Sequence, residues 1–149
     1  MTYAIHQRIG IRAPQTDVHH ALTTLDGLSS WWTTDTTGDA SVGGKLVFTF
    51  GSPDRQASFE VVETTDDRIV WRGIGGPEEW IDTLFTFALS HEDGETVLFF
   101  SNTGWREQVP FIGHCSTKWA TFFIGLKALL EGGRSNSYPD EIVISSWDH

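Results

Sequence analysis

A single α+β domain, an antiparallel sheet paired with a long C-terminal helix, is the fold class the sequence predicts. Three observations predict it: segments with an apolar residue at every second position between Leu46 and Asn102, short polar turns between those segments, and an amphipathic stripe from Cys115 to Leu129. Successive strands joined by short turns imply an antiparallel meander. A chain of 149 residues is one comfortable domain, residues 1–149, and buries roughly 70% of its unfolded surface.

Tyr3 to Ile11 reads as a first strand, ended by Ala13-Pro14. Pro14 suits the first turn of a helix and Asp17 complements its positive end. Val18, Ala21, Leu22 and Leu25 then recur at helical spacing, with Gly27 as the terminator. Leu28 to Trp32 reads as a short second helical turn, followed by a polar loop through Gly44. The period then changes to two. Leu46, Phe48 and Phe50 form one alternation, and Phe59 and Val61 another that ends near Thr64. Asp66-Asp67 turns the chain into Ile69-Val70-Trp71, and Gly73 to Pro77 reads as a flexible loop, a candidate for the mouth of a cavity. Thr83, Phe85, Phe87 and Leu89 share one strand face, His91 to Gly94 is a hairpin turn, and Thr96, Leu98, Phe100 and Asn102 share the next face. Cys115, Trp119, Phe122, Leu126 and Leu129 step by four, three, four and three, which is helical, and Gly132-Gly133 ends that helix. The tail from Ser137 to His149 offers one more candidate strand at Ile142-Val143-Ile144.

Twenty acidic residues against ten Lys and Arg give a formal net charge of −10. No basic cluster relieves it, so nucleic acid and anionic membrane surfaces are not expected partners. The single cysteine, Cys115, excludes an intrachain disulfide framework and fits a reducing compartment. Residues 1–6 carry no secretory signal pattern, and the most apolar stretch, Trp119 to Leu130, is interrupted by Lys127 and too short to span a bilayer. A cytoplasmic location is expected by elimination.

Candidate chemistry is sparse. His19 and His20 are adjacent on a helix and point apart, and no His-Glu-x-x-His or Cys-x-x-Cys spacing exists, so neither a metal nor any other cofactor is expected. His114-Cys115 diverge for the same reason, and Cys115 lies on the apolar stripe, where a thiol packs as a small hydrophobe. Gly73-Ile74-Gly75-Gly76 lacks the following helix that a phosphate cradle needs. Glu78, Glu79 and Asp82 read as solvated. No catalytic residue is assigned.

The aromatic set is more informative: seven Trp and ten Phe beside two Tyr. Alternation puts Phe48, Phe59, Phe85, Phe87 and Phe100 on one face of the sheet, opposite Trp119 and Phe122. Rings so placed fill a core as readily as they line a pocket. Thr83 and Asn102 are the polar groups on that inner face, able to orient a ligand or to bond the backbone and buried water.

The element order, with Ile9 to Pro14, Ala21-Leu22-Thr23, Trp31-Trp32, Gly43-Gly44, Thr83 to Leu89, Gly94 to Thr96, Gly104-Trp105 and Trp119 to Gly132, resembles the SRPBCC (START-like, birch-pollen-allergen-like) superfamily. Within it the chain is similar to bacterial homologues of the activator of the 90-kDa heat-shock protein ATPase. The resemblance implies a helix-grip fold, a curved sheet grasping the C-terminal helix with a cavity between them. It also implies a small hydrophobic ligand there, touching Phe48, Phe59, Thr83, Phe85, Phe87, Phe100, Asn102, Trp119 and Phe122, with Trp31, Trp32 and Trp71 closing one end. The eukaryotic activator resembles the chain only in its C-terminal part, so stimulation of a chaperone ATPase is not expected. Where relatives often carry a His before the Gly-Trp pair, this chain has Asn102, which keeps hydrogen bonding and loses proton transfer. A carrier or sensor is the leading expectation. A cyclase- or hydrolase-type enzyme using Asn102, Thr83, Glu63 or Cys115 is the first alternative. The second is an interaction module, with a chaperone or a second copy of the chain as partner and Trp105, Phe111 and Ile112 as an exposed patch.

Overall fold

The computed structural model describes residues 1–134 and 137–148; His149, the last residue of the predicted tail, lies outside them. The elements run β1 (Tyr3–Ile11), α1 (Gln15–Thr23), α2 (Leu25–Trp31), β2 (Asp35–Gly38), β3 (Lys45–Thr49), β4 (Gln56–Thr64), β5 (Arg68–Gly75), a 3-10 turn (Glu78–Trp80), β6 (Leu84–Glu92), β7 (Glu95–Trp105), α3 (Pro110–Leu130) and a second 3-10 turn (Ser146–Asp148). One antiparallel seven-stranded sheet has the order β1-β7-β6-β5-β4-β3-β2. Because β1 and β2 lie on opposite edges, α1 and α2 carry the chain from one edge to the other. Register shifts between Ser58 and Phe59 and between Val61 and Glu63 mark bulges in β4, which bend a strand and deepen the curl of its sheet.

The inner face of that curl meets α3. Phe100 lies 4.8 Å from Trp119 and 4.9 Å from Phe123, ring centre to ring centre, while Cys115, Trp119, Phe122, Phe123 and Leu126 are the buried face of the helix. At its far end α3 is tied to the edge strand: Lys127 Nζ donates to the Gly10 carbonyl and to Glu131 Oε2, both at 2.7 Å. The Arg12 backbone N–H also donates to Glu131 Oε2, at 2.7 Å. That N–H first, and Lys127 after it, hold the Glu131 carboxyl below its ordinary range. Among the described residues, no helix is long and apolar enough to cross a membrane.

Several local expectations are corrected. The helical spacing from Val18 to Leu25 runs through a break at Thr24, which caps α2 by accepting the Gly27 N–H at 2.9 Å. Gly27 is therefore inside α2 and terminates nothing. A Cβ there would stand 2.5 Å from the His20 carbonyl oxygen and 2.6 Å from Ala21 Cα, so glycine is what lets the two helices touch. The predicted polar loop contains β2, whose Asp-Thr-Thr-Gly sequence has no apolar face to announce it; its pairing with β3 supplies the ladder. Gly73 to Gly75 are strand, not loop. Ile142 to Ile144 form no strand: the Ile142 carbonyl accepts from Lys118 Nζ at 2.6 Å and the Ile144 N–H donates to Asp148 at 3.1 Å. Side chains thus hold the groups a ladder would need. Trp105 is buried, not exposed, and Phe111 and Ile112 are half-buried in the first turn of α3.

Candidate functional site

The open volume lies at one end of the gap between sheet and helix rather than along it. A cleft of about 430 Å³ is bounded by the β3–β4 turn, the start of α3 and the segment Glu141–Asp148. That segment folds back as a strap, anchored by Tyr138, whose N–H donates to the Trp32 carbonyl at 2.7 Å and whose carbonyl accepts from Thr34 at 3.1 Å. The floor is aromatic: Trp32, Phe50, Trp80, Trp119 and Phe122. The walls add Ala57, Gly76, Pro77 and Cys115, and the rim carries Asp54, Arg55, Gln56, His114, Lys118, Glu141 and Asp148.

Of the residues expected to line a cavity, Trp32, Trp119 and Phe122 reach this cleft. Phe48, Phe59, Trp71, Phe85, Phe87 and Phe100 pack ring to ring beneath it, with centroids 4.7–6.5 Å apart. Trp31 is buried behind Trp32, its indole N–H on the Ala21 carbonyl at 2.8 Å. Thr83 and Asn102 face each other inside the fold. Asn102 Nδ2 donates to Thr83 Oγ1 at 3.0 Å and to the Leu84 carbonyl at 3.2 Å, and its Oδ1 accepts from Trp105 Nε1 at 2.7 Å. Every donor and the acceptor of that amide is thereby used.

This network positions a wall of the cleft. Thr83 Oγ1 donates to the Trp80 carbonyl at 2.8 Å, fixing the turn that carries Trp80. Gly73 completes the placement, since a Cβ there would stand 2.2 Å from the Trp80 carbonyl oxygen. Trp80 then lies between Phe85 at 5.4 Å and Trp119 at 6.2 Å. Sequence reading passed over Trp80 and Phe123. The glycines ahead of Trp80 were the available signal, because a run that admits close backbone approach says something must approach it.

Of the four groups named for an enzyme, Asn102 and Thr83 are spent on the network, and Glu63 pairs with Arg68 at 3.1 Å outside. Cys115 alone reaches the cleft. Burial pushes its thiol up to about 12. The neighbouring Trp80 indole N–H opposes that shift but does not overcome it, and Nε1 has no hydrogen-bond partner among the described residues. A nucleophilic thiol needs its thiolate, so Cys115 acts here as apolar wall. Iodoacetamide at pH 8 is expected to label the native chain on the order of 100-fold more slowly than the urea-unfolded chain, whose thiol has an ordinary pKa. Equal rates, followed by mass spectrometry, would show the wall open.

The rim is charged. Lys118 Nζ bonds an Asp148 carboxylate oxygen, with Glu141 Oε2 at 3.3 Å. Burial would raise the Asp148 carboxyl, but Lys118 and the Ile144 and Ser145 N–H groups outweigh it and hold it below its ordinary range. His114 is lowered, chiefly by burial, and its ring stacks 5.7 Å from Phe111. The described residues contain no group of three or more His, Cys, Asp or Glu placed to hold a metal.

A curled antiparallel sheet closed on a long C-terminal helix, with two short helices after the first strand, defines a helix-grip protein of the SRPBCC superfamily. The model of the family "Activator of Hsp90 ATPase homolog 1-like protein" matches residues 12–131, and the chain belongs to that family. The Aha1 dimer from Colwellia psychrerythraea, determined in solution, is 37% identical, with 88% of this chain and 98% of that one covered and a TM-score of 0.80. Protein SSP2350 from Staphylococcus saprophyticus is 15% identical over 89% of this chain and 95% of its own, at 0.74. CalU16 from Micromonospora echinospora is 20% identical over 89% and 67%, at 0.70. These last two show the fold alone. No curated protein matches the sequence. The family match ends at residue 131, so the strap lies outside it.

Proposed function

We propose that the chain is a carrier or sensor of a small hydrophobic molecule, held in the cleft between the β3–β4 turn, α3 and the strap. One observation carries the reading. The fold buries most of its rings against one another, yet seven Trp and Phe rings, the five of the floor with Phe111 and Trp147, line an open volume of about 430 Å³. That size falls within the roughly 300–1,000 Å³ of small-molecule pockets, which pair an apolar lining with a few polar groups that fix orientation. An aromatic or acyl body fits the floor, and the rim supplies the polar contacts. On this reading the protein works as one domain in the cytoplasm, with Cys115 reduced.

Native mass spectrometry of the purified chain, with a thermal-shift screen of hydrophobic metabolites, tests it. A ligand at about a hundred times its Kd stabilises by about 2.7 kcal/mol. At about 2–4 °C per kcal/mol for a domain of this size, the expected rise in Tm is on the order of 5–10 °C. Gln56→Trp, at an exposed position on the rim, is expected to leave the fold intact and abolish the rise. A screen without shifts and a mass spectrum without a bound molecule would contradict the proposal.

A further inference from the structure

Lys118 is the feature of the cleft that an apolar ligand leaves unexplained. It stands on α3 between Cys115 and Trp119, its Nζ 5.4 Å from the centre of the Phe122 ring. A cation at the edge of an aromatic recess loses hydration and needs partners. The strap provides all of them: an Asp148 carboxylate oxygen, Glu141 Oε2 at 3.3 Å and the Ile142 carbonyl at 2.6 Å. Arg55, the other cation of the wall, donates to the Asp148 backbone carbonyl at 3.0 Å. Both strap carboxylates are out of water, with side-chain exposures of 0% for Asp148 and 4% for Glu141.

The charge count turns on this segment. Without the strap, the cleft presents Arg55 and Lys118 against Asp54; Glu141 and Asp148 reverse that excess. In a chain of net charge −10 with ten Lys and Arg, placing two of those cations beside an aromatic recess makes a seat for an anion. Two buried carboxylates already sit in it.

We propose that the ligand of the cleft is a hydrophobic carboxylic acid, and that Glu141 and Asp148 occupy the seat on Lys118 which the ligand's carboxylate takes on binding. This rests on the ligand-binding reading above and adds the head group and its internal competitor. The body of the acid lies on Trp119, Trp32 and Phe122, its carboxylate pairs with Lys118 and Arg55, and the Glu141 and Asp148 carboxylates are displaced from Lys118. The strap is suited to leave. Its Ile142, Val143 and Trp147 are exposed, and beyond the latch this stretch rests on α3 through Ser145 to His114 at 3.3 Å and Trp147 against Phe111 and His114.

Isothermal titration calorimetry of the full chain with naphthoic acid and with naphthalenemethanol, one ring system with and without the charge, tests the proposal. The double variant Glu141→Gln, Asp148→Asn is expected to bind the acid at least about tenfold tighter, a difference of about 1.4 kcal/mol, and the alcohol as the natural chain does. Lys118→Met is expected to weaken the acid by about tenfold or more and spare the alcohol. In the natural chain, hydrogen exchange at the Ile144 and Ser145 amides, both bonded to Asp148, is expected to rise with the acid and not with the alcohol. Acid and alcohol responding alike across the variants, or an acid that binds with those amides still protected, would overturn the head group and the latch while leaving ligand binding intact. Failure of both probes to bind any of the proteins would overturn the ligand-binding reading together with the proposal.

Discussion

Trp32→Ala is expected to lower stability by about 3–5 kcal/mol, the cost of truncating a large buried aromatic. Trp32 follows the last residue of α2 and joins three parts of the fold. Its ring is 4.2 Å from Phe48 on the sheet, 4.7 Å from Trp119 on α3, and stacked against Trp31 at 6.2 Å and Trp71 at 6.4 Å. It is 3% exposed, so burial is lost in full, and close-packed neighbours cannot collapse into the space without leaving their own partners. Against a total of about 5–15 kcal/mol for an ordinary domain, one substitution would remove much of the margin. Urea denaturation monitored by far-ultraviolet circular dichroism measures it. A loss below about 1 kcal/mol would mean that the rings beneath the cleft do not form one packed unit.

Asn102→Ala carries the second large effect, a loss of about 2–4 kcal/mol, because it leaves the Trp105 indole N–H buried without an acceptor and creates a void. The same variant is expected to loosen Trp80, since Thr83 loses the amide that orients it. Two measurements separate this from a direct ligand contact. Urea denaturation is expected to show the destabilisation, and the Trp105 indole N–H resonance is expected to shift and exchange faster with solvent. An Asn102→Ala protein of unchanged stability that binds no ligand would instead place the amide on the ligand.

The fold was legible wherever periodicity carried it. β1, the alternating faces of β3, β4, β6 and β7, and the stripe of α3 all fall where the apolar spacing places them, and the Phe rings of the sheet do meet Trp119. What escaped had no period to read. β2 is four polar or small residues made a strand by its neighbour, and the break at Thr24 is a capping hydrogen bond hidden inside an unbroken helical spacing. The strap is placed by contacts between residues far apart in the chain, such as Lys118 with Ile142, 24 positions apart, and Arg55 with Asp148, 93 apart, which no local pattern encodes. The location of the cleft escaped for a further reason. Alternation says which rings face inward, but how completely they fill the interior depends on their shapes and tilts. Here the rings from Phe48 to Phe100 close the middle of the gap, and the space remains where the sheet ends and the strap begins.

Crystals of the chain grown with naphthoic acid would test the account most directly, by the position of the ligand's electron density. The density is expected over the face of Trp119, beside Trp32 and within reach of Lys118, with the rings of Phe85, Phe87, Phe100 and Phe123 undisturbed. Density lodged instead among those four rings, between the central strands and the middle of α3, would contradict it.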